Sequence, residues 1–505
     1  MTAHLGGAPA HRFTPRDILA GLSVALVAIP QSMAYAELAG LPSHHGLYAV
    51  GFPLIAAAFF ASSPYLQTGP VATTSLLTFG ALVPLAAPGS DSYVAMAALL
   101  ALVVGAVRVT VGLFRLGWIS YLMSRPVLEG FVTAAAVLII SSQLPGAVGA
   151  TAEGRGVLAG ALWAVGHPEA WEGASLLFSA GTVAVILVSR RIHPLIPGVL
   201  IAAVAGVVAS LVMDYAGPVV GHVPAGLPPL SLDLPWSQIP VLFLPGVVIA
   251  LVGFAEAASI SRAFASEDRQ RWDANREFIS QGVANLVSGV SGAFPVGGSF
   301  GRSSLNRLAG ARSRWAGLVT GMAVLSFLPF SHVIGPMPRA VLSGIVIAAV
   351  WNMMRPQRLV AIWRLSRPQA LVGWGTFLLT LALAPHIEQA VVIGVLMAGA
   401  VHLWRELAPE VPARREGDTL IVEPSGVLWF ASAPALDDQL LEHLAREPDV
   451  NRVVLDFRGL GRIDLTAAMA LMEMLAQIRE AGVEVEVRNI PDHALRVLRG
   501  AGLAP

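Results

Sequence analysis

Residues 292–307 read GAFPVGGSFGRSSLNR, a run of glycines, hydroxyls and one proline set between long apolar segments. Such a run starts a helix where a continuous one could have passed. A helix start carries free N–H groups and the positive end of the helix dipole, and this combination holds anions. Glycine at 298 and 301 would let the chain turn, with positive φ, and let an anion approach the backbone without a Cβ in the way. Thr68–Leu77, TGPVATTSLL, repeats the recipe of a breaker, small residues and hydroxyls before an apolar helix. Both stretches contain Pro-Val, and two such half-helices facing each other would form one anion site. The competing use of these glycines is close helix packing. Arg302 reads two ways, as an attractor of the anion or as a surface arginine like Arg307, Arg312 and Arg314.

Two carboxylates stand in apolar company. LAGLSVALVAIPQSMAYAELAG contains Pro30, Gln31, Tyr35 and Glu37, and VVIALVGFAEAASISRAFA contains Glu256, Ser259 and Ser261. Acids within a membrane span are costly and are read as functional, since a neutral carboxylic acid is tolerated where a carboxylate is not. Glu37 and Glu256 are therefore candidate proton carriers. Glu37 has an alternative place at the far interface, beside Gly40 and Pro42. Gly297–Gly301 also spells G-x-S-x-G, but the hydrolase elbow needs a preceding strand and an acid and histidine to follow. His332 has no evident partner, and His44 and His45 lack metal-ligand company. No enzyme activity, metal or cofactor is expected.

The elements that position these residues must be membrane helices. Of 505 residues 55% are hydrophobic and 13% charged, and mean hydropathy is +0.68; a soluble globular class is excluded. All 32 basic residues are arginine and net charge is zero, which argues against a nucleic-acid partner. Without cysteine, disulfides and thiolate chemistry are ruled out. The N-terminus, with Arg12, Arg16 and Asp17, does not read as a cleavable signal.

A span needs about 20 apolar residues. Candidate stretches begin near Ile18, Gly46, Val71, Tyr93, Ile119, Ser175, Ile196, Val241, Phe278, Ser303, Trp315, Val333, Ala370 and Ala390. They predict about 14 transmembrane spans. Arginines at 12 and 16, 108 to 125, 190 and 191, 262 to 276, 302 to 314, 355 to 367 and 405 fall in alternate connections. Acids such as Asp91, Glu153, Glu169, Glu172, Asp214, Asp233 and Glu388 fill the others; Arg155 and Arg339 are exceptions. By the positive-inside rule both termini are cytoplasmic. Gly154–Trp171 reads as amphipathic material at the outer surface or as a loop.

The third and tenth stretches lie seven spans apart, so the copies are inverted, as in transporters whose broken helices meet at the midplane. Residues 1–406 form the membrane domain, with repeats over roughly 14–215 and 240–406. A linker rich in proline and charge, LAPEVPARREG, covers 407–417. Residues 418–505 alternate DTLIVEP, GVLWFA, RVVLDF and VEVEVRN with helices near Leu436–Arg446, Leu465–Ile478 and His493–Arg499, a small α/β domain.

IPQSMAYAELAGLPSHHGLY, TGPVATTSLL, QGVANLVSGVSGAFPVGGSFGRSSLNRLAGARS and LDFRGLGRIDLTAAMAL together resemble the SulP family of sulfate permeases and related anion transporters. The resemblance covers almost the whole chain. It implies a polytopic α-helical fold of two inverted seven-helix repeats, divided into core and gate domains, and a cytoplasmic STAS domain. It implies an anion site made by Gln31 and Glu37, Ala72 and Thr73, Glu256 and Ser259, and Gly298, Ser299, Gly301 and Arg302. Implied partners are a small anion (sulfate, bicarbonate, chloride or a dicarboxylate), protons or sodium, the lipid bilayer of the inner (plasma) membrane, and a second copy as homodimer. Membership does not give the substrate. The expected function is proton-coupled symport, with electroneutral exchange, an uncoupled channel and the nucleobase permeases, which lack a STAS domain, as rivals. In related STAS domains the stretch matching Asp464, Leu465 and Thr466 carries a phosphorylated hydroxyl. Here Leu465 departs from the usual small polar residue, and Thr466 is either a phosphosite or simply part of a helix start with Asp464.

Overall fold

The computed structural model describes residues 13–121, 123–152, 156–407 and 411–502. Arg12, Glu153, Arg155, Gly154 at the edge of the outer-surface stretch, and residues 408–410 of the expected linker lie outside them. The chain divides into two compact units, one ending at Val395 and the other beginning at Leu396.

The first unit is helical. Its elements are α1 (Pro15–Leu38), α2 (His44–Tyr48), α3 (Gly51–Phe60), β1 (Thr68–Gly69), α4 (Ala72–Leu82), α5 (Asp91–Leu113) and α6 (Arg125–Val148). There follow α7 (Val157–Gly166), α8 (Gly173–Ile192), α9 (Gly198–Val212), α10 (Ile239–Glu267), α11 (Ala274–Val290), β2 (Gly297–Gly298) and α12 (Phe300–Leu308). Last come α13 (Trp315–Phe327), α14 (Arg339–Val350), α15 (Pro356–Leu365), α16 (Arg367–Ala382) and α17 (Ile387–Glu406), the last of which runs on into the second unit. Seven helices among the described residues are individually long and apolar enough to cross a membrane. Each of the fourteen stretches meets a helix, but two starts move. Ile119 falls in a 3₁₀ turn ahead of α6, and Val333 in another ahead of α14. Helix α7, VLAGALWAVG, is apolar on every face and so is not amphipathic.

Local chemistry sets the helix starts. Thr14 and Asp17 form a capping box ahead of Pro15, and the same buried Asp17 accepts the N–H groups of Arg312 and Ser313 at 2.7 and 2.9 Å. Ser90 caps α5 and Asp273 caps α11. Helices α5 and α11 then pack closely through glycines seven residues apart on each, Gly105 and Gly112 on α5 and Gly282 and Gly289 on α11. A Cβ at Gly105 would stand 2.7 Å from the Leu286 nitrogen, and one at Gly289 would stand 2.6 Å from the Ala98 carbonyl. Such contact requires small residues.

The second unit carries a sheet of β3 (Ala413–Glu416), β4 (Thr419–Val422), β6 (Arg452–Asp456) and β8 (Glu484–Arg488) in that order. The first pair is antiparallel and the rest parallel. Strands β5 (Gly426–Leu428) and β7 (Leu460–Ile463) pair separately. Helices α18 (Ala433–Arg446), α19 (Leu465–Glu480) and α20 (Asp492–Gly500) complete it, around Val422, Val453, Leu455, Leu471 and Leu475. Strand β3 lies inside the stretch read as linker. Its arginines and glutamate are exposed, so composition resembled a linker while the backbone pairs with β4.

Candidate anion-binding site

The two glycine-containing stretches meet. Strands β1 and β2 cross antiparallel with Thr68 opposite Gly298 and Gly69 opposite Gly297, and the Ser299 N–H donates to the Gln67 carbonyl at 3.0 Å. Helix α4 leaves from one side of this crossing and α12 from the other. The Pro-Val pairs do not correspond: Pro70-Val71 follows β1, whereas Pro295-Val296 precedes β2. Nor does positive φ occur at Gly298 or Gly301.

The two helix starts differ. Val71 is extended and has no oxygen to cap α4, so the N–H groups of Ala72, Thr73 and Thr74 precede the first intrahelical bond, Ser75 to Val71 at 3.0 Å. At α12 Ser299 caps the Arg302 N–H. Ser299 thus serves its own helix. Arg302 is buried and reaches back across the crossing, where Nη2 donates to the Pro70 carbonyl at 2.7 Å. Its Nη1 is shielded from solvent and has no partner among the described residues. The half-buried Glu256 of α10 faces the Thr73 hydroxyl and the Arg302 guanidinium. From α1, Gln31 Nε2 donates to the Tyr35 hydroxyl at 3.1 Å, and Gln31 Oε1 is unmet. An open helix end and an unspent guanidinium nitrogen thus converge, which suits binding of a small anion, beside an acid that opposes it when ionised.

A model of the sulfate permease family matches residues 15–376, and one described as Mlab, STAS domain, matches 411–505. The chain belongs to the sulfate permease family. A probable sulfate transporter of Mycobacterium tuberculosis (strain H37Rv) is 29% identical over 97% of this chain and 92% of its own. A probable sulfate transporter of Arabidopsis thaliana is 27% identical over 98% and 78%. The sodium-independent sulfate anion transporter of Bos taurus is 28% identical over 96% and 85%. The inward-facing structure of murine Solute Carrier 26 family member A9 superposes with a TM-score of 0.89 at 20% identity, covering 98% of this chain and 89% of that one. The transmembrane domain of the cyanobacterial bicarbonate transporter BicA gives 0.66 at 24%, covering 75% and 97%. The chain is a multi-pass membrane anion transporter with a C-terminal STAS domain; the relatives it matches are transporters, not enzymes.

In this permease a second layer fixes the crossing. Asn285 accepts the Val296 N–H at 2.9 Å and donates to the Val296 carbonyl at 3.0 Å. Gln281 donates to the Thr68 hydroxyl at 2.6 Å, and Ser288 to the Phe294 carbonyl at 2.7 Å. Four residues above Gln281, Glu277 accepts the N–H groups of Ser62 and Ser63 at 3.1 and 2.8 Å. Sequence reasoning passed over all four. The signal was present, because polar residues at 277, 281, 285 and 288 mark one face of a helix.

Other expected site residues lie apart. Glu37 sits at the end of α1, half-buried, with Arg339 Nε 3.9 Å away, which accounts for that exceptional arginine. Ser259 is exposed and bonds the Ala255 carbonyl of its own helix at 2.8 Å. Gly298 has no room for an anion on its Cα face: a Cβ would stand 2.9 Å from Ala257 Cβ and 2.8 Å from Leu66 Cδ1. Gly301 is exposed with open space where its Cβ would be. Arg108, grouped above with cytoplasmic arginines, is instead fully buried within α5. His45 bonds the Gly292 carbonyl at 2.7 Å. In the STAS domain Asp464 caps α19 by accepting the Ala467 N–H at 2.7 Å, and Thr466 is exposed in its first turn.

Proposed function

We propose that this permease is a proton-coupled symporter that imports a small dianion such as sulfate, with bicarbonate or a dicarboxylate as the neighbouring substrate classes. The observation that carries this reading is the uncapped start of α4 beside the unpartnered Nη1 of Arg302. The anion would lie between the N–H groups of Ala72 and Thr73 and that guanidinium, with the Gln31 amide, Ser259 and the backbone at Ser299 and Gly301 on its approach. Glu256 opposes a bound anion when ionised, so its protonation would accompany loading. Glu37 would carry the coupled proton at the far end of α1, protonation releasing Arg339 and with it the α1–α14 contact.

Fourteen spans in two inverted repeats, with core moving against gate, would supply alternating access. Both termini would face the cytoplasm of a plasma membrane, a second copy would complete a homodimer, and Thr466 would be open to phosphorylation. Uptake of sulfate, bicarbonate and a dicarboxylate into liposomes, with and without an inward proton gradient, tests the reading. Saturable sulfate uptake driven uphill by the gradient, and lost in Glu37→Gln, is expected. Acceleration by internal anion with indifference to pH would make it an exchanger, and non-saturating flux a channel.

A further inference from the structure

Arg108 stands five residues inside the end of α5, and none of its surface reaches solvent. Its guanidinium donates only to main-chain carbonyls: Nε to Ala250 at 3.1 Å, Nη2 to Ile249 at 3.2 Å and Nη1 to Val296 at 2.8 Å. Among the described residues no carboxylate pairs with it. Taking a cation out of water costs several kcal/mol, and carbonyl dipoles answer that only in part. Its surroundings place it close to the crossing. Ala250 and Ile249 are on α10, the helix of Glu256, and Val296 immediately precedes β2. The point where a Gly253 Cβ would stand is 2.5 Å from Arg108 Nη2 and 3.0 Å from Thr74 Cγ2. The guanidinium therefore lies against the first turn of α4, the uncapped helix end, and Gly253 is glycine because the arginine fills its place.

We propose that Arg108 is a specificity-determining cation of the anion site, acting from one layer behind the crossing and favouring a divalent over a monovalent anion. This rests on the anion-site reading above. The attraction between a fixed charge and an ion grows in proportion to the ion's charge and is strong in a poorly screened interior. Arg108 touches no substrate; it adds to the field of the α4 start and Arg302. Losing its charge thus penalises sulfate about twice as heavily in free energy as chloride, and the preference between them narrows.

The test measures radiolabelled sulfate binding to the purified full-length permease, and its displacement by chloride, in wild type, Arg108→Gln, Arg108→Lys and Asn285→Ala. Arg108→Gln keeps an amide N–H to donate to a main-chain carbonyl and loses the charge; it should weaken sulfate at least tenfold and chloride clearly less. Arg108→Lys keeps the charge with fewer donors, so its melting temperature should fall while the sulfate-to-chloride ratio stays. Asn285→Ala loosens Val296 without touching charge and should likewise lower melting with the ratio kept. An unchanged ratio in folded Arg108→Gln overturns the proposal. So does a ratio that narrows as much in Asn285→Ala, because the role would then be positional. Should Arg108→Gln not be recovered folded, Arg108→Met, which removes the charge and leaves no buried donor, takes its place with the same readings: a narrowed ratio upholds the assignment and an unchanged one overturns it. Arg302→Gln separates the two layers. If it leaves sulfate binding intact the site itself is misplaced, whereas its loss beside an indifferent Arg108→Gln confines the failure to Arg108.

Discussion

Gly298 and Gly301 have opposite surroundings, and the smallest substitution exposes the difference. A Cβ at 298 would stand 2.8 Å from Leu66 Cδ1, 2.9 Å from Ala257 Cβ and 3.1 Å from Ala257 Cα. Carbon atoms prefer about 3.5–4.0 Å. The leucine tip can rotate away, but Ala257 is fixed in α10, so that helix must retreat by roughly half an ångström. Overpacking of this kind costs about 1–3 kcal/mol. Gly298→Ala should therefore lower the melting temperature in detergent, while sulfate affinity of the folded fraction changes by less than about tenfold, or 1.4 kcal/mol. At Gly301 nothing lies within 4 Å and φ is ordinary. Gly301→Ala should hold or raise the melting temperature, since alanine exceeds glycine by about 0.5–1 kcal/mol in helix interiors and by less at an end. Gly301→Val, which crowds the approach to the α12 start, should weaken sulfate without loss of stability. A Gly298→Ala protein that melts like wild type but has lost its anion would refute the packing assignment, and destabilisation at Gly301 would refute the open one.

Arg302→Gln removes a charged hydrogen bond to Pro70 and the free Nη1; sulfate affinity should fall at least tenfold in equilibrium binding, with Arg302→Lys recovering only part because lysine has no planar fork. Glu277→Ala leaves the buried Ser63 N–H and the part-buried Ser62 N–H and Trp272 indole unpaired, and should destabilise the fold by about 1–3 kcal/mol for the buried donor alone, read as loss of monodisperse protein on size-exclusion chromatography. In the STAS domain Arg458 and Asn489 hold the Asp456 carboxyl down at about 2 from its ordinary 3.8. A lowered carboxyl pKa contributes stability above the ordinary value and loses it as pH falls, so the contribution should fade between about pH 4 and 2. Hydrogen exchange of β6 across that range should show the loss in wild type and a flat response in Asp456→Asn.

What the sequence made legible follows from which interactions are local. Breakers followed by hydroxyls announce a half-helix, so the starts of α4 and α12 could each be read from one short stretch. Their pairing came from ordinal position, which is a topological argument. The register did not come through, because Pro-Val recurs as a dipeptide while the antiparallel crossing aligns Gly297-Gly298 with Thr68-Gly69. Strand β3 was hidden for a related reason: an exposed edge strand of arginines and a glutamate has linker composition, and only its partner makes it a strand.

The polar stripe that escaped notice and the arginine that was misplaced were both hidden by depth. Glu277, Gln281, Asn285 and Ser288 each bond a segment that is remote in sequence or folded back beside them, and a polar stripe alone does not say whether it faces water or a loop. Arg108 was counted with Arg115 and Arg125 because topology rules tally arginines per connection. Yet a span starting near Tyr93 and running about 20 residues ends beyond position 108, so span length already placed this arginine inside. A cation there needs either an acid on a neighbouring helix or an anion nearby, and among the described residues its guanidinium meets main-chain carbonyls and no carboxylate. In a chain whose two broken helices cross beside it, the counter-charge we propose is the substrate, felt by Arg108 through its field and not by contact.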